Sequence, residues 1–276
     1  MKEKKSVIAF LIITFALSSI CYVIWIRGGK AAAGMSSILM WCPAAAAFIV
    51  RGRYYRKEKL LGWNKCKVSF ILTAIVVPIL YLGLSYGIYW LVTKESFTGN
   101  FNSLTTAVSS YTDKSGAMVT AITLIVSAFA AIITAAGEEI GWRGFLLPQM
   151  TKIWNVKAAV IVSGLIWAVW HMPIMIAGLY LPGTPLWYKL PMFVVQIIAM
   201  TAIMAVLRLK SKSVWPAILL HASHNYFDQV ICQPLTNSSN SAYYVGETGA
   251  ITVMVLILVA IGTVMIIKRW HESKQQ

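Results

Sequence analysis

VSFILTAIVVPILYLGLSYGIYWLV, from Val68 to Val92, runs for 25 positions without one Asp, Glu, Lys or Arg. At 1.5 Å of rise per residue, a helix of about 20 apolar residues crosses a hydrocarbon layer about 30 Å thick. The stretch therefore predicts a membrane-spanning helix. Seven more stretches read the same way: Ser6 to Ile26, Ala31 to Val50, Met118 to Gly137, Ala158 to Leu179, Leu190 to Leu207, Ser213 to Val230 and Ala250 to Ile267. The first follows Met1-Lys2-Glu3-Lys4-Lys5, but its apolar run is about twice that of a signal peptide, so it is read as an uncleaved span. Composition agrees. Apolar types make up 58% of the 276 residues and charged types 12%, against about 25% in a soluble domain, and mean hydropathy is +0.71. The expectation is a single all-α domain over residues 1–276, a polytopic membrane protein of about eight transmembrane helices.

The net charge of +15 invites a nucleic-acid partner. The basic residues, however, fall in short clusters between apolar runs, with no basic face interleaved with aromatics, and no nucleic acid is expected. Their distribution sets orientation instead. With the N-terminus in the cytoplasm, the inner segments hold 19 of the 24 Lys and Arg and the outer ones hold 5, Arg27, Lys30, Lys94, Lys114 and Lys189. Cytoplasmic loops carry such an excess, so both termini are placed inside, in a multi-pass cell-membrane protein whose first partner is the lipid bilayer. Thr93 to Ala117 and Ile231 to Gly249 read as solvated outer loops. Cys21, Cys42, Cys66 and Cys232 form no CxxC pair and read as thiols packed like small apolar groups. No internal repeat appears, which disfavours repeat-built transporters.

The informative residues are those that lipid rejects. An ionised side chain at mid-bilayer costs about 2.5–3.5 kcal/mol even on the lenient insertion scale. Beside the end of the fourth span stand Glu138, Glu139 and Arg143; the fifth holds His171; the seventh holds His221, His224, Asn225 and Asp228. Glu139 and Arg143, four apart with Glu first, suit an intrahelical ion pair. Glu138, rotated by about 100°, faces elsewhere and is left for chemistry. His221 and Asn225 share a face at i and i+4. Pro173, two residues after His171, and Pro148, after the Glu–Arg segment, are expected to loosen or break their helices. Each group has a structural alternative: a headgroup-level ion pair, a buried histidine, or interhelical polar glue. His224 and Asp228 lean towards the structural role, and His271 lies in the tail. Together, an acid, two imidazoles and a carboxamide offer the water activation, proton delivery and oxyanion stabilisation that peptide hydrolysis needs. Because the fourth span is read as ending, and the fifth and seventh as starting, at the cytoplasmic face, the site is expected near that side.

Taken in order, Glu138-Glu139-Ile140-Gly141-Trp142-Arg143, Trp167-Ala168-Val169-Trp170-His171 and His221-Ala222-Ser223-His224-Asn225 resemble the EExxxR, FxxxH and HxxxN motifs of the CPBP (CAAX protease and bacteriocin-processing) intramembrane proteases, which include the type II CAAX prenyl endopeptidases. Trp167 stands where Phe is usual. The likeness covers roughly residues 118–230, the expected catalytic core. It implies an endopeptidase acting on a membrane-associated peptide or protein, prenylated or a bacteriocin-type precursor. Glu138 and His171 would hold and activate water, His221 and Asn225 would bind the oxyanion, and Arg143 with Glu139 would brace the helix. Trp142, four residues after Glu138, is expected to exclude water from that carboxylate. One Glu with two His (Glu138, His171, His221) is also a candidate zinc set, but HExxH is absent and the resemblance favours a glutamate-type mechanism requiring no metal. Two alternatives stand beside the protease. A non-catalytic immunity or scaffold protein would tolerate loss of Glu138. A proton-coupled transporter using Glu138, His171 and His221 as a relay would give pH-driven flux and no peptide product.

Overall fold

The computed structural model describes residues 1–98 and 117–272 and is 80% helical, with no β-strand among the described residues. Helix α1 spans Lys2–Gly28, α2 Met35–Tyr54, α3 Val68–Val92 and α4 Ala117–Glu139. A π-helical segment, Ile140–Leu146, carries α4 on into α5, Leu147–Met150. Helix α6 covers Val156–Ile176, α7 Leu186–Ser211, and α8 Trp215–Asn225, which a second π segment, Tyr226–Cys232, extends. A short α9, Ser241–Tyr244, precedes α10, Ala250–Glu272. Most of the expected loop from Thr93 to Ala117 lies outside the described residues.

Six helical runs among the described residues are long and apolar enough to cross a membrane: Lys2–Ala32, Met35–Tyr54, Val68–Val92, Met118–Met150, Val156–Ile176 and Leu186–Ser211. The protein is an all-α polytopic membrane protein. The two remaining expected spans differ in form. Around the seventh, α8 has only 11 residues before its π segment, and three polar residues (His221, His224, Asn225) lower its hydropathy. The eighth appears as a shorter apolar run, Ala250–Met265. The prolines do less than expected: Pro173 lies inside α6, which ends three residues later, and Pro148 is the second residue of α5.

The reading of the fourth span needs the largest correction. It was expected to stop at Gly137 beside the two glutamates. The chain instead stays helical to Met150, so Glu138 lies 12 residues, roughly 18 Å, from the end of its run. Small residues make this path feasible. A Cβ on Gly137 would meet the Met40 carbonyl oxygen at 2.6 Å, and one on Gly141 would meet the Pro43 Cβ at 2.4 Å, so α4 and its continuation pack on α2 at backbone distance. Close approach at small residues is how helices associate where lipid leaves little hydrophobic drive. Along the rest of α4, Ile122, Ile125, Val126, Phe129 and Ile133 are all exposed, as a lipid-facing helix surface requires.

Around this contact α1 packs on α2, α6 on α7, and α8 on both α3 and α4. Polar ties fix the register. Trp170 Nε1 donates to Ser18 Oγ at 2.7 Å, Tyr22 Oη donates to the Trp170 carbonyl, and Tyr55 Oη donates to Gln149 Oε1 at 3.1 Å. Such interhelical bonds average about 0.6 kcal/mol each in membranes. They hold α6 and α5 against the first helical pair.

Candidate active site

Glu138 and Glu139 are adjacent in sequence and opposite in use. Glu139, fully buried, accepts from Arg143 Nη1 at 3.0 Å and from His221 Nδ1 at 2.9 Å, both on Oε1. The second guanidinium nitrogen, Nη2, donates to Thr201 Oγ1 at 2.8 Å, and the guanidinium lies 4.0 Å above the Trp167 ring. A buried ion pair needs such further hydrogen bonds to offset its desolvation. The expected Glu139–Arg143 pair is present, and it reaches α7 and α8 as well as its own helix. Glu138 turns to the other side, where Oε2 accepts a 2.6 Å hydrogen bond from Trp167 Nε1.

His171 projects from α6 into an aromatic shell. Trp170 stands at 90° with centroids 4.8 Å apart, Phe193 at 5.1 Å, and Tyr180 stacks on it at 5.6 Å. Its Nδ1 lies 3.0 Å from the Trp167 carbonyl oxygen. A carbonyl only accepts, so this assigns the proton to Nδ1 and leaves the Nε2 lone pair available. His221 is oriented by the same logic: Nδ1–H points at the Glu139 carboxylate, and Nε2 is the nitrogen left for a ligand.

Glu138, His171, His221 and Asn225 all line one cavity of about 490 Å³. Trp25 and Ser36 from the α1–α2 end, Thr134 of α4, Tyr180, and Gln229 from the second π segment share its wall. The two π segments begin directly after the polar pairs Glu138-Glu139 and His224-Asn225. Wide turns of this kind recur at functional sites, because the extra residue per turn re-aims side chains.

Two neighbours on the same stretch have their capacity used elsewhere. His224 engages Tyr81 Oη through Nδ1 and Gln196 Nε2 through Nε2 at 3.3 Å. Asp228 accepts from Tyr86 Oη at 2.7 Å and Gln233 Nε2 at 2.8 Å. Trp142 is not the partner of Glu138. It packs edge-on to Phe10 and Trp170, with ring centroids 5.7 and 5.8 Å away, and its indole nitrogen has no hydrogen-bond partner. Trp167 fills that place instead, since its Nε1–H reaches Glu138. The motif position announced an aromatic ring but not the donor, and a Phe there would pack without donating. Thr201 and Gln196 were also missed; both are polar residues inside the apolar α7, and that contrast was the available signal.

Among the described residues no three His, Cys, Asp or Glu side chains stand close enough to share a metal ion. Glu138, His171 and His221 face one cavity without converging on one point, and the first is already held by an indole N–H. As held here, the set does not fit a metal site.

Residues 120–227 match the family model described as Type II CAAX prenyl endopeptidase Rce1-like. Over nearly the full length, the chain is also similar to CAAX prenyl protease 2 of Methanococcus maripaludis: 23% identical over 282 residues, which covers 92% of this chain and 93% of that protein. Both likenesses point to the CAAX/CPBP membrane proteases.

Proposed function

We propose that the chain hydrolyses peptide bonds of a membrane-associated peptide or protein with Glu138 as general base, residues 118–230 forming the catalytic core. The observation that carries this reading is the shared wall of Glu138, His171, His221 and Asn225 around one cavity. Water sits between Glu138 Oε1 and His171 Nε2. Glu138 takes one of its protons as the oxygen adds to the scissile carbonyl, and His171 Nε2 accepts a hydrogen bond from the other O–H. The carbonyl π pair moves onto oxygen, and the resulting oxyanion accepts from Asn225 Nδ2 and His221 Nε2. Because His221 Nδ1–H is already directed at Glu139, Nε2 donates only when the ring carries both protons, and the Glu139 carboxylate stabilises that imidazolium. When the tetrahedral intermediate collapses, the C–N bond breaks and Glu138 delivers its proton to the leaving amine. Thr201 and the Trp167 ring hold Arg143, which holds Glu139. Trp167 Nε1–H fixes the Glu138 rotamer.

No metal is required in this mechanism, and the cell membrane is its setting. The relative's name, CAAX prenyl protease, offers one substrate class, a prenylated C-terminal tail; the wider family offers bacteriocin-type precursors. The expectation of a site near the cytoplasmic face rests on the fourth span ending there and on the fifth and seventh starting there; the helical run to Met150 takes away the first of these grounds and leaves the other two. The test is cleavage of membrane-associated test peptides by the purified full-length protein in lipid–detergent micelles. Glu138→Gln is expected to abolish cleavage while His271→Ala keeps it. Cleavage retained by the Glu138→Gln protein would overturn the assignment.

A further inference from the structure

The segment from Ile231 to Gly249, read from the sequence as a solvated loop, turns back into the protein at its end. Residues 245–249 are all buried. The turn that brings them in depends on Gly246, whose φ of +84° favours a residue without a Cβ. Gly249 N closes the turn on the Gly246 carbonyl at 3.1 Å. Between the two glycines stands Glu247, a buried carboxylate that neither motif nor spacing announced.

Its hydrogen bonds lead to the candidate site. Glu247 Oε2 accepts from Tyr180 Oη at 2.5 Å, and Oε1 accepts from Gln229 Nε2 at 3.0 Å. The Tyr180 ring in turn stacks on His171, with an interplanar angle of 29° and centroids 5.6 Å apart. Tyr180 and Gln229 line the catalytic cavity, and both also line a second cavity of about 430 Å³ whose wall includes Glu247. A further, small cavity is lined by His171, His221, Asn225 and Glu247. These two imidazoles and the carboxamide therefore face two cavities, with Glu138 on the wall of one and Glu247 on the wall of the other. The cavity walled by Arg51, Lys59 and Trp63 shares no residue with any of these.

Tyr180 belongs to the connection between α6 and α7, so no helix aims its ring. The bond to Glu247 does. His171 Nδ1–H is tied to the Trp167 carbonyl, but one hydrogen bond leaves an imidazole able to tilt about it. An aromatic ring lying on its face restricts that tilt. Fastening the loop does not require a carboxylate. Tyr188, at the start of α7, already donates to the Tyr243 carbonyl at 2.5 Å, and the two rings pack with centroids 5.0 Å apart. An ionised carboxylate is costly to bury, and both donors to Glu247 are neutral, so its place beside the site calls for a use there.

We propose that Glu247 is a positioning residue of the hydrolytic site: it holds the Tyr180 ring on the face of His171 and so keeps Nε2 aimed at the water that Glu138 activates. The link to hydrolysis rests on the protease reading above; the hold on His171 does not. Both carboxylate oxygens are engaged, so Glu247 carries no proton in the reaction.

The test compares Glu247→Gln, Tyr180→Phe and the double variant, each in the full-length protein in lipid–detergent micelles. Each single substitution is expected to lower kcat about 10- to 100-fold, the effect of a small misplacement of a reacting group. KM and the thermal midpoint stay nearly unchanged, because Tyr188 still ties the segment to α7. The double variant is expected to lose no more than the weaker of the two single ones, since both remove the same bond. Losses that multiply, or a kcat per folded molecule left unchanged, overturn the proposal. A second readout is independent of catalysis. With isotope-labelled histidine, the ring-nitrogen resonances of His171, assigned by their absence in His171→Gln, are expected to shift in both single variants. Resonances that stay in place overturn the hold on His171. Shifted resonances in a protein that cleaves no test peptide tell against the protease reading alone.

Discussion

Helix α8 and its π extension carry two polar clusters that differ in what they have left to offer. His221 and Asn225 face the cavity beside Glu138 and His171, and His221 spends only Nδ1 on a protein partner. His224 and Asp228 are as polar and more deeply buried, yet their hydrogen bonds go to protein partners: Tyr81, Gln196 and Tyr86 on neighbouring helices and Gln233 five residues along the chain. The lesson is that residue type does not separate a working group from a structural one in a membrane interior. Unspent hydrogen-bonding capacity facing a cavity does, because most buried polar atoms find a protein partner, and the indole nitrogen of Trp142, which lacks one, is not on the wall of the catalytic cavity.

Substitutions sharpen that contrast. Asn225→Ala removes one proposed oxyanion donor and is expected to lower kcat about 10²–10³-fold with KM little changed, as read from steady-state cleavage. A matched loss in the His224→Ala protein would erase the distinction between the clusters. Glu139→Gln leaves Arg143 without its carboxylate, and breaking a buried pair by removing one partner costs about 3–5 kcal/mol. A fall in thermal midpoint in detergent checks it, and Arg143→Met in the same background is expected to restore part of the stability. Trp167→Phe keeps the ring and deletes the 2.6 Å bond to Glu138. A hydrogen bond to a charged group is worth about 1.5–3 kcal/mol, so about tenfold or more is expected from kcat with stability nearly kept; unchanged turnover would assign the indole to packing alone. The smallest effect is expected from His224→Ala. It strands Tyr81 and Gln196 at a cost of about 1–3 kcal/mol in unfolding midpoint, while cleavage per folded molecule stays close to that of the unsubstituted protein.

The parts legible in the sequence were those that depend on composition and spacing. The long apolar runs gave six of the eight expected spans among the described residues, though α7 extends four residues beyond the expected Leu190 and Leu207 at each end. Lys189 explains the early start: it is tolerated inside the helix because its Nζ bonds the Leu181 carbonyl at 3.1 Å. Helical spacing gave the Glu139–Arg143 pair and the separate aim of Glu138. What stayed hidden depends on three-dimensional packing. Continuation past Glu139 requires Gly141 against Pro43, a contact between residues almost a hundred positions apart. The π segments leave no periodic signature. The exchange of Trp142 for Trp167 beside Glu138 depends on how α6 rotates against α4, which a spacing of four residues along one helix cannot show.

The most direct measurement is an experimental structure of the full-length protein with a peptide isostere whose scissile carbonyl is replaced by a hydrated ketone, an imitation of the tetrahedral intermediate. The expected result has one hydroxyl between Glu138 and His171 and the other within hydrogen-bond distance of His221 Nε2 and Asn225 Nδ2. An isostere seated in the cavity walled by Arg51 and Trp63, or seated in the site with both hydroxyls beyond reach of Glu138, would contradict it.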